Sequence, residues 1–85
     1  MSFSLAPYVT ATDTEHGVVL LDERTGRYWQ MNDTAAVVLR CLLAGGGVES
    51  AITTLRSRFP EAADHIAQDV TDLVEALRAA RVVAS

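Results

Sequence analysis

Two periods divide this chain. Before Asn32 apolar residues come in short runs broken by turn formers, and after it they recur every three or four positions. Alternation marks a half-buried strand, and a spacing of 3.6 marks an amphipathic helix. Tyr8-Val9-Thr10-Ala11-Thr12 favours a strand, with the polar run Asp13-Thr14-Glu15-His16-Gly17 as its turn. Val18-Val19-Leu20-Leu21, bounded by Gly17 and Asp22, predicts a central strand. Glu23-Arg24-Thr25-Gly26 predicts a hairpin loop, with Gly26 where a type I turn plus bulge needs positive φ. Arg27 to Met31 is then the third strand of an antiparallel meander.

Asn32 is a good helix cap, because its side-chain oxygen can accept a backbone N–H of the first turn, and Asp33 suits the positive helix end. Ala35, Val38, Leu39, Leu42 and Leu43 share one face of the predicted first helix, and Gly45-Gly46-Gly47 ends it. A second helix over about 48–59 aligns Val48, Ala51, Ile52, Leu55 and Phe59. Pro60 breaks that helix and opens the next, since a first turn needs no N–H there. The third helix, over about 61–80, aligns Ala62, Ile66, Val70, Leu73, Val74 and Leu77. The expected architecture is α+β and winged-helix-like: a three-stranded antiparallel sheet followed by three helices. With 85 residues, no linker and no repeat, residues 1–85 form one expected domain.

Composition narrows the class. Apolar residues make up 49% of the chain, which places it among globular proteins. The lone Cys41 excludes an internal disulfide and favours a reducing compartment. MSFSLAPYV carries no basic region followed by an apolar run, and no stretch is long enough to span a bilayer. A cytoplasmic location with no membrane partner is therefore expected. All seven basic residues are Arg, against eleven acids, giving a net charge of −4. Such a balance repels phosphate backbones and anionic surfaces.

No catalytic set emerges, and neither a cofactor nor a metal is expected. Cys41 lies in a leucine-rich helix and reads as a small buried hydrophobe. His16 reads as a turn residue and His65 as a solvated helix position, and with Cys41 they make no zinc spacing. The three glycines are not a phosphate loop, for no GK[ST] follows. Asp22-Glu23 and Asp69/Asp72 read as ordinary solvated carboxylates. Nucleic-acid binding is the rival reading, since winged helices often meet DNA. The third helix argues against it, with Glu61, Asp64, Asp69, Asp72 and Glu75 facing only Arg78 and Arg81.

The stretch VVLLDERTGRYWQMNDTAAVVLRCLLAGG, followed by AITTLRSRF and DVTDLVEALRAARVV, resembles the PqqD-like family. The resemblance rests on the L-L-D-x-x-T-G-R-Y-x-x-x-N core, the Ala35-Ala36 helix start, the glycine helix end and the D-V-x-x-L-x-x-x-L helix. It spans about 18–83. Within that family the chain is most similar to the free-standing leader-binding proteins of lasso-peptide clusters, which are RiPP recognition elements. The resemblance implies a non-catalytic module that takes up a precursor's leader peptide as an extra strand beside the third strand and the third helix. It further implies presentation of the precursor to a separate leader peptidase and an ATP-dependent macrolactam cyclase. Related domains serve radical-SAM tailoring enzymes as peptide chaperones, which is the alternative. Val48 stands where a hydroxyl cap is common in the family, and Arg81 where glycine often ends the last helix.

The residues themselves support that mode. The third strand ends the meander and carries no Pro or Lys to blunt its edge. An open edge beside an amphipathic helix is what strand addition requires. Candidate peptide-binding residues are Arg27, Tyr28, Trp29, Gln30 and Met31 on the strand, and Ile66, Asp69, Val70, Leu73 and Leu77 on the helix. Trp29 and Met31 are expected to face inward, leaving Tyr28 beside the guest's path, unless both aromatics are fold anchors. Ile66 and Leu73 are the better candidates for a wall shared by core and groove, with Val70 and Leu77 belonging mainly to the core. Asp69 and Asp72 could pair with basic leader residues.

Overall fold

The structure, a computed structural model, describes residues 3–84. In chain order the elements are β1 (Ser4–Leu5), β2 (Val9–Thr14), β3 (Gly17–Asp22), β4 (Tyr28–Asn32), α1 (Asp33–Leu43), α2 (Gly47–Arg58), a 3₁₀ turn (Pro60–Ala62), α3 (Ala63–Ala79) and β5 (Val83–Ala84). β2, β3 and β4 form the antiparallel meander in that order, and three helices follow as expected. β1 and β5 add a second, two-stranded antiparallel sheet that the sequence did not announce, Ser4 opposite Ala84 and Leu5 opposite Val83.

Several boundaries moved, among them the start of the third helix: Pro60 opens a separate 3₁₀ turn and α3 begins only at Ala63. The expected turn over 13–17 is mostly strand: β2 runs on to Thr14, so only Glu15 and His16 form the loop. Gly17, at φ 148°, lies opposite Asn32, and a Cβ there would land on the Met31 carbonyl oxygen. Only glycine allows β3 and β4 to stay paired to that end. The third strand starts at Tyr28 and runs through Asn32, whose Oδ1 also accepts the Ala35 N–H at 2.9 Å. One residue thus ends a strand and caps a helix.

Asp22 corrects the reading of a solvated carboxylate. It is buried, 2% exposed, at the mouth of the β3–β4 hairpin. Its carboxylate accepts from Arg24 Nε at 3.1 Å, Arg24 Nη2 at 2.8 Å and the Arg24 backbone N–H at 2.9 Å. The cause is the turn, since a short acid at its first position bonds the backbone two residues on. Arg24 then lies 3.5 Å over the Tyr8 ring, and the Tyr8 hydroxyl donates to the Arg81 carbonyl at 2.8 Å. The Arg24 hydrogen bond holds the Asp22 carboxyl below the usual carboxylate range, and the same bond raises Arg24.

Arg81 departs from the family's glycine yet keeps the conformation glycine would supply, φ 61°. The Val82 N–H reaches the Leu77 carbonyl at 3.2 Å and the Arg81 N–H reaches Arg78 at 3.0 Å, which closes α3 in a Schellman motif. α2 starts at Gly47 with Gly46 at the cap position, so the helix has no side-chain cap and Val48, expected near the cap, lies inside the first turn.

The buried side chains form two clusters. Val18, Leu20 and Met31 on the inner face of the sheet pack against Ala36, Leu39, Leu77, Val82 and Val83. Val38, Leu42, Ala51, Leu55, Ile66, Val70 and Val74 form the second, among the three helices. Leu73, half-buried, packs against both.

Candidate functional site

The outer edge of β4 sits above a groove walled by α3. β4 ends the sheet order, so its far side has no strand partner among the described residues. Which backbone groups face that edge follows from the ladder. Asp22 N–H donates to the Arg27 carbonyl at 2.8 Å, and Glu23 N–H donates to the Tyr8 carbonyl at 2.9 Å. In an antiparallel pair the bonded positions alternate. Leu20 and Val18 therefore bond to Trp29 and Met31, while the N–H and C=O groups of Tyr28 and Gln30 and the N–H of Asn32 point outward; the Asn32 C=O is taken by the first turn of α1, which it caps. Along that edge Tyr28 and Gln30 leave both a donor and an acceptor unpaired, and Asn32 a donor alone.

Side chains divide the other way. Met31 is buried and Trp29 half-buried against the sheet core, as expected, whereas Tyr28 is 65% exposed. Tyr28 stands opposite Leu21, itself 37% exposed, on the outer face of the sheet. Arg27 lays its guanidinium over the Trp29 ring at 5.6 Å.

Below the edge lie two open cavities. One, about 220 Å³, lies between Trp29, Gln30, Met31 and Asn32 of β4 and Leu73, Ala76 and Leu77 of α3, with Ala35 at its floor. The second, about 250 Å³, continues it past Asn32, Thr34 and Ala35 to Leu55, Asp69, Val70 and Leu73. They share Asn32, Ala35 and Leu73, so they read as one groove with Leu73 at its centre. Of the helical candidates, Asp69, Val70, Leu73 and Leu77 line it. Ile66 does not: it is 5% exposed within the helical cluster and borders neither cavity. Asp72 is exposed and accepts from Gln68 Nε2 at 2.8 Å.

Asn32, Thr34, Ala35, Val38, Leu55 and Ala76 also line the groove, and none of them is among the sequence candidates. Ala76 was legible, for it stands three positions after Leu73 and one before Leu77 on the same helical face. Asn32 and Ala35 were read only as helix-start residues, and their place in the floor depends on how α1 leaves β4. A larger cavity of about 480 Å³ opens at the Glu15-His16 end of the sheet, between Thr14, His16, Val18 and Gln30.

Among the described residues no group of three or more His, Cys, Asp or Glu side chains is placed to hold a metal ion. Cys41 is half-buried in α1, its Sγ 3.9 Å from Thr54 Oγ1. Among the described residues no helix is long and apolar enough to cross a membrane.

Known proteins share this arrangement. A solved structure described as lasso peptide synthetase B1 complexed with the leader peptide is 33% identical, covers the whole of both chains and superposes with a TM-score of 0.89. TbiB1 in complex with the TbiA(beta) leader peptide shares the fold, with 19% identity over 98% of this chain and 94% of that one and a TM-score of 0.83. Curated proteins give no match. Residues 17–83 match the family of coenzyme PQQ synthesis protein D (PqqD), from the start of β3 into β5. That stretch holds both walls of the groove, and the chain belongs to the PqqD family of RiPP recognition elements.

Proposed function

We propose that the protein is a non-catalytic module that binds the leader peptide of a lasso-peptide precursor as a fourth strand on β4. The observation that carries this reading is the open edge. Tyr28, Gln30 and Asn32 offer outward backbone groups directly above an apolar groove walled by Leu73 and Leu77. Main-chain bonds along such an edge give affinity, and the groove selects side chains. The 33%-identical lasso peptide synthetase B1, solved with its leader peptide, supports the same use of this fold. In this reading residues 1–85 act as one module, which holds the leader while a leader peptidase and a macrolactam cyclase act on the rest. Its acidic α3 suits a peptide better than a phosphate backbone.

The test is a titration of the labelled leader peptide of that lasso peptide synthetase B1, followed by amide shifts. Binding should perturb the amides of Tyr28, Gln30 and Asn32 most, and should slow their exchange with solvent. A saturable complex that leaves those three amides unprotected would reject strand addition at β4. A gel shift with duplex DNA at low salt should show no retention.

A further inference from the structure

The groove has unlike charges at its two ends. At one end Arg27, which precedes β4, stacks over the Trp29 ring that forms the groove wall. At the other, beyond Asn32, Asp69 forms part of the wall. Neither Arg27 nor Asp69 has an ion-pair partner among the described residues, where the two ion pairs are Asp22–Arg24 and Asp13–Arg40. Arg78 on α3 is turned to the Phe3 ring at 5.0 Å. Asp33, in the first turn of α1, offsets the partial positive charge of that helix end, which would otherwise oppose a base there.

We propose that this charge order selects the guest by its own charge order and so fixes its direction. The proposal rests on strand addition at β4. β4 runs from the Arg27 end toward the Asp69 end. Antiparallel pairing is somewhat more stable per residue than parallel pairing. An antiparallel guest starts beside Asp69 and finishes beside Arg27. It therefore carries a basic side chain near the start of its bound segment and an acidic one near the end, with apolar side chains between them facing Leu73 and Leu77. A guest of the opposite order places like charges together at both ends.

Two peptides built on the leader found with the lasso peptide synthetase B1 test this. One carries Lys-Lys at its first positions and Glu-Glu at its last, and the other carries the reverse, so composition and net charge are equal. The first should bind about three- to tenfold more tightly at low salt, the size expected of exposed charge pairs. The preference should fade at about 0.5 M salt as screening shortens the reach of each charge. It should invert in the doubly reversed protein Arg27→Glu/Asp69→Arg. Equal binding of both peptides, or a preference for the Glu-first peptide, overturns the charge order while leaving the groove intact. Failure of both to bind a folded protein rejects strand addition at β4, and the charge order with it.

Discussion

Replacing Gln30 by proline tests the edge while sparing the sheet. The Gln30 N–H points away from β3, because Trp29 and Met31 are the bonded positions of the β3–β4 ladder. Proline there removes no internal hydrogen bond, and edge strands tolerate it. Trp29, the residue before it, is already in a strand, as a residue before proline must be. The Gln30 side chain is exposed, so no core contact is lost. Stability should change by no more than about 1 kcal/mol. Binding should change far more, since the guest's carbonyl opposite position 30 loses its donor and faces the proline ring instead. An acceptor stranded in that way costs about 1–3 kcal/mol, or roughly a fivefold to hundredfold loss of affinity. Gln30→Ala keeps the donor and should bind within about threefold of the parent. The assay is anisotropy of a labelled leader peptide, with the melting curve taken on the same samples. A folded Gln30→Pro protein that binds as the parent does would refute the assignment of the guest to β4.

Three further outcomes follow from the same geometry. Leu73→Ala should lower leader affinity about ten- to hundredfold and stability by about 1–3 kcal/mol, because Leu73 touches both core clusters and both halves of the groove; a stable variant with full affinity contradicts that placement. Arg81→Gly should raise stability by up to about 1 kcal/mol in denaturant titrations, since a side chain at φ 61° is strained and the backbone bond from Tyr8 survives. The carboxyl of Asp22 is held below its unfolded value, so its contribution is present at neutral pH and is lost as pH falls below about 4; Asp22→Asn should narrow its stability deficit on acidification, and parallel curves from pH 7 to pH 2 would contradict the buried pair.

Local signals account for most of what the sequence made legible. Gly26 adopts φ 76° in the hairpin loop as the turn chemistry required, and Asn32 caps α1 through its own side chain. The helical spacing of Leu73 and Leu77 placed them on the face that meets β4. What escaped depends on contacts between distant segments. Two-residue strands such as β1 and β5 have no periodicity to detect, and their pairing joins the two ends of the chain. The burial of Asp22 needed Arg24 folded back over Tyr8, which no acid–acid dipeptide reveals. Ile66, on the same helical stripe as Leu73, turned out to face α1 and α2 instead of the groove. A stripe wider than one neighbour can cover divides between two, and the division depends on the angle at which α3 crosses the sheet.

The adjacent aromatics explain how an open edge coexists with a folded sheet. Trp29 leans into the core and carries the groove wall, and Tyr28 sits with Leu21 on the opposite face. An unpaired strand edge is ordinarily a template for self-association. Here the edge is five residues long, and Asn32 turns the chain directly into α1. α3 occupies the space on the inner side of that edge, where Leu73, Ala76 and Leu77 approach β4. A second copy approaching edge to edge would bring its own α1 and α3 into that space, whereas a single extended segment brings only backbone and alternate side chains. In the strand addition proposed above, the wall that stabilises the core also filters what can pair with β4. Selectivity for a lone peptide strand then follows from where α3 lies, and Leu73, which touches both clusters and both cavities, is the side chain that folding and the proposed recognition share.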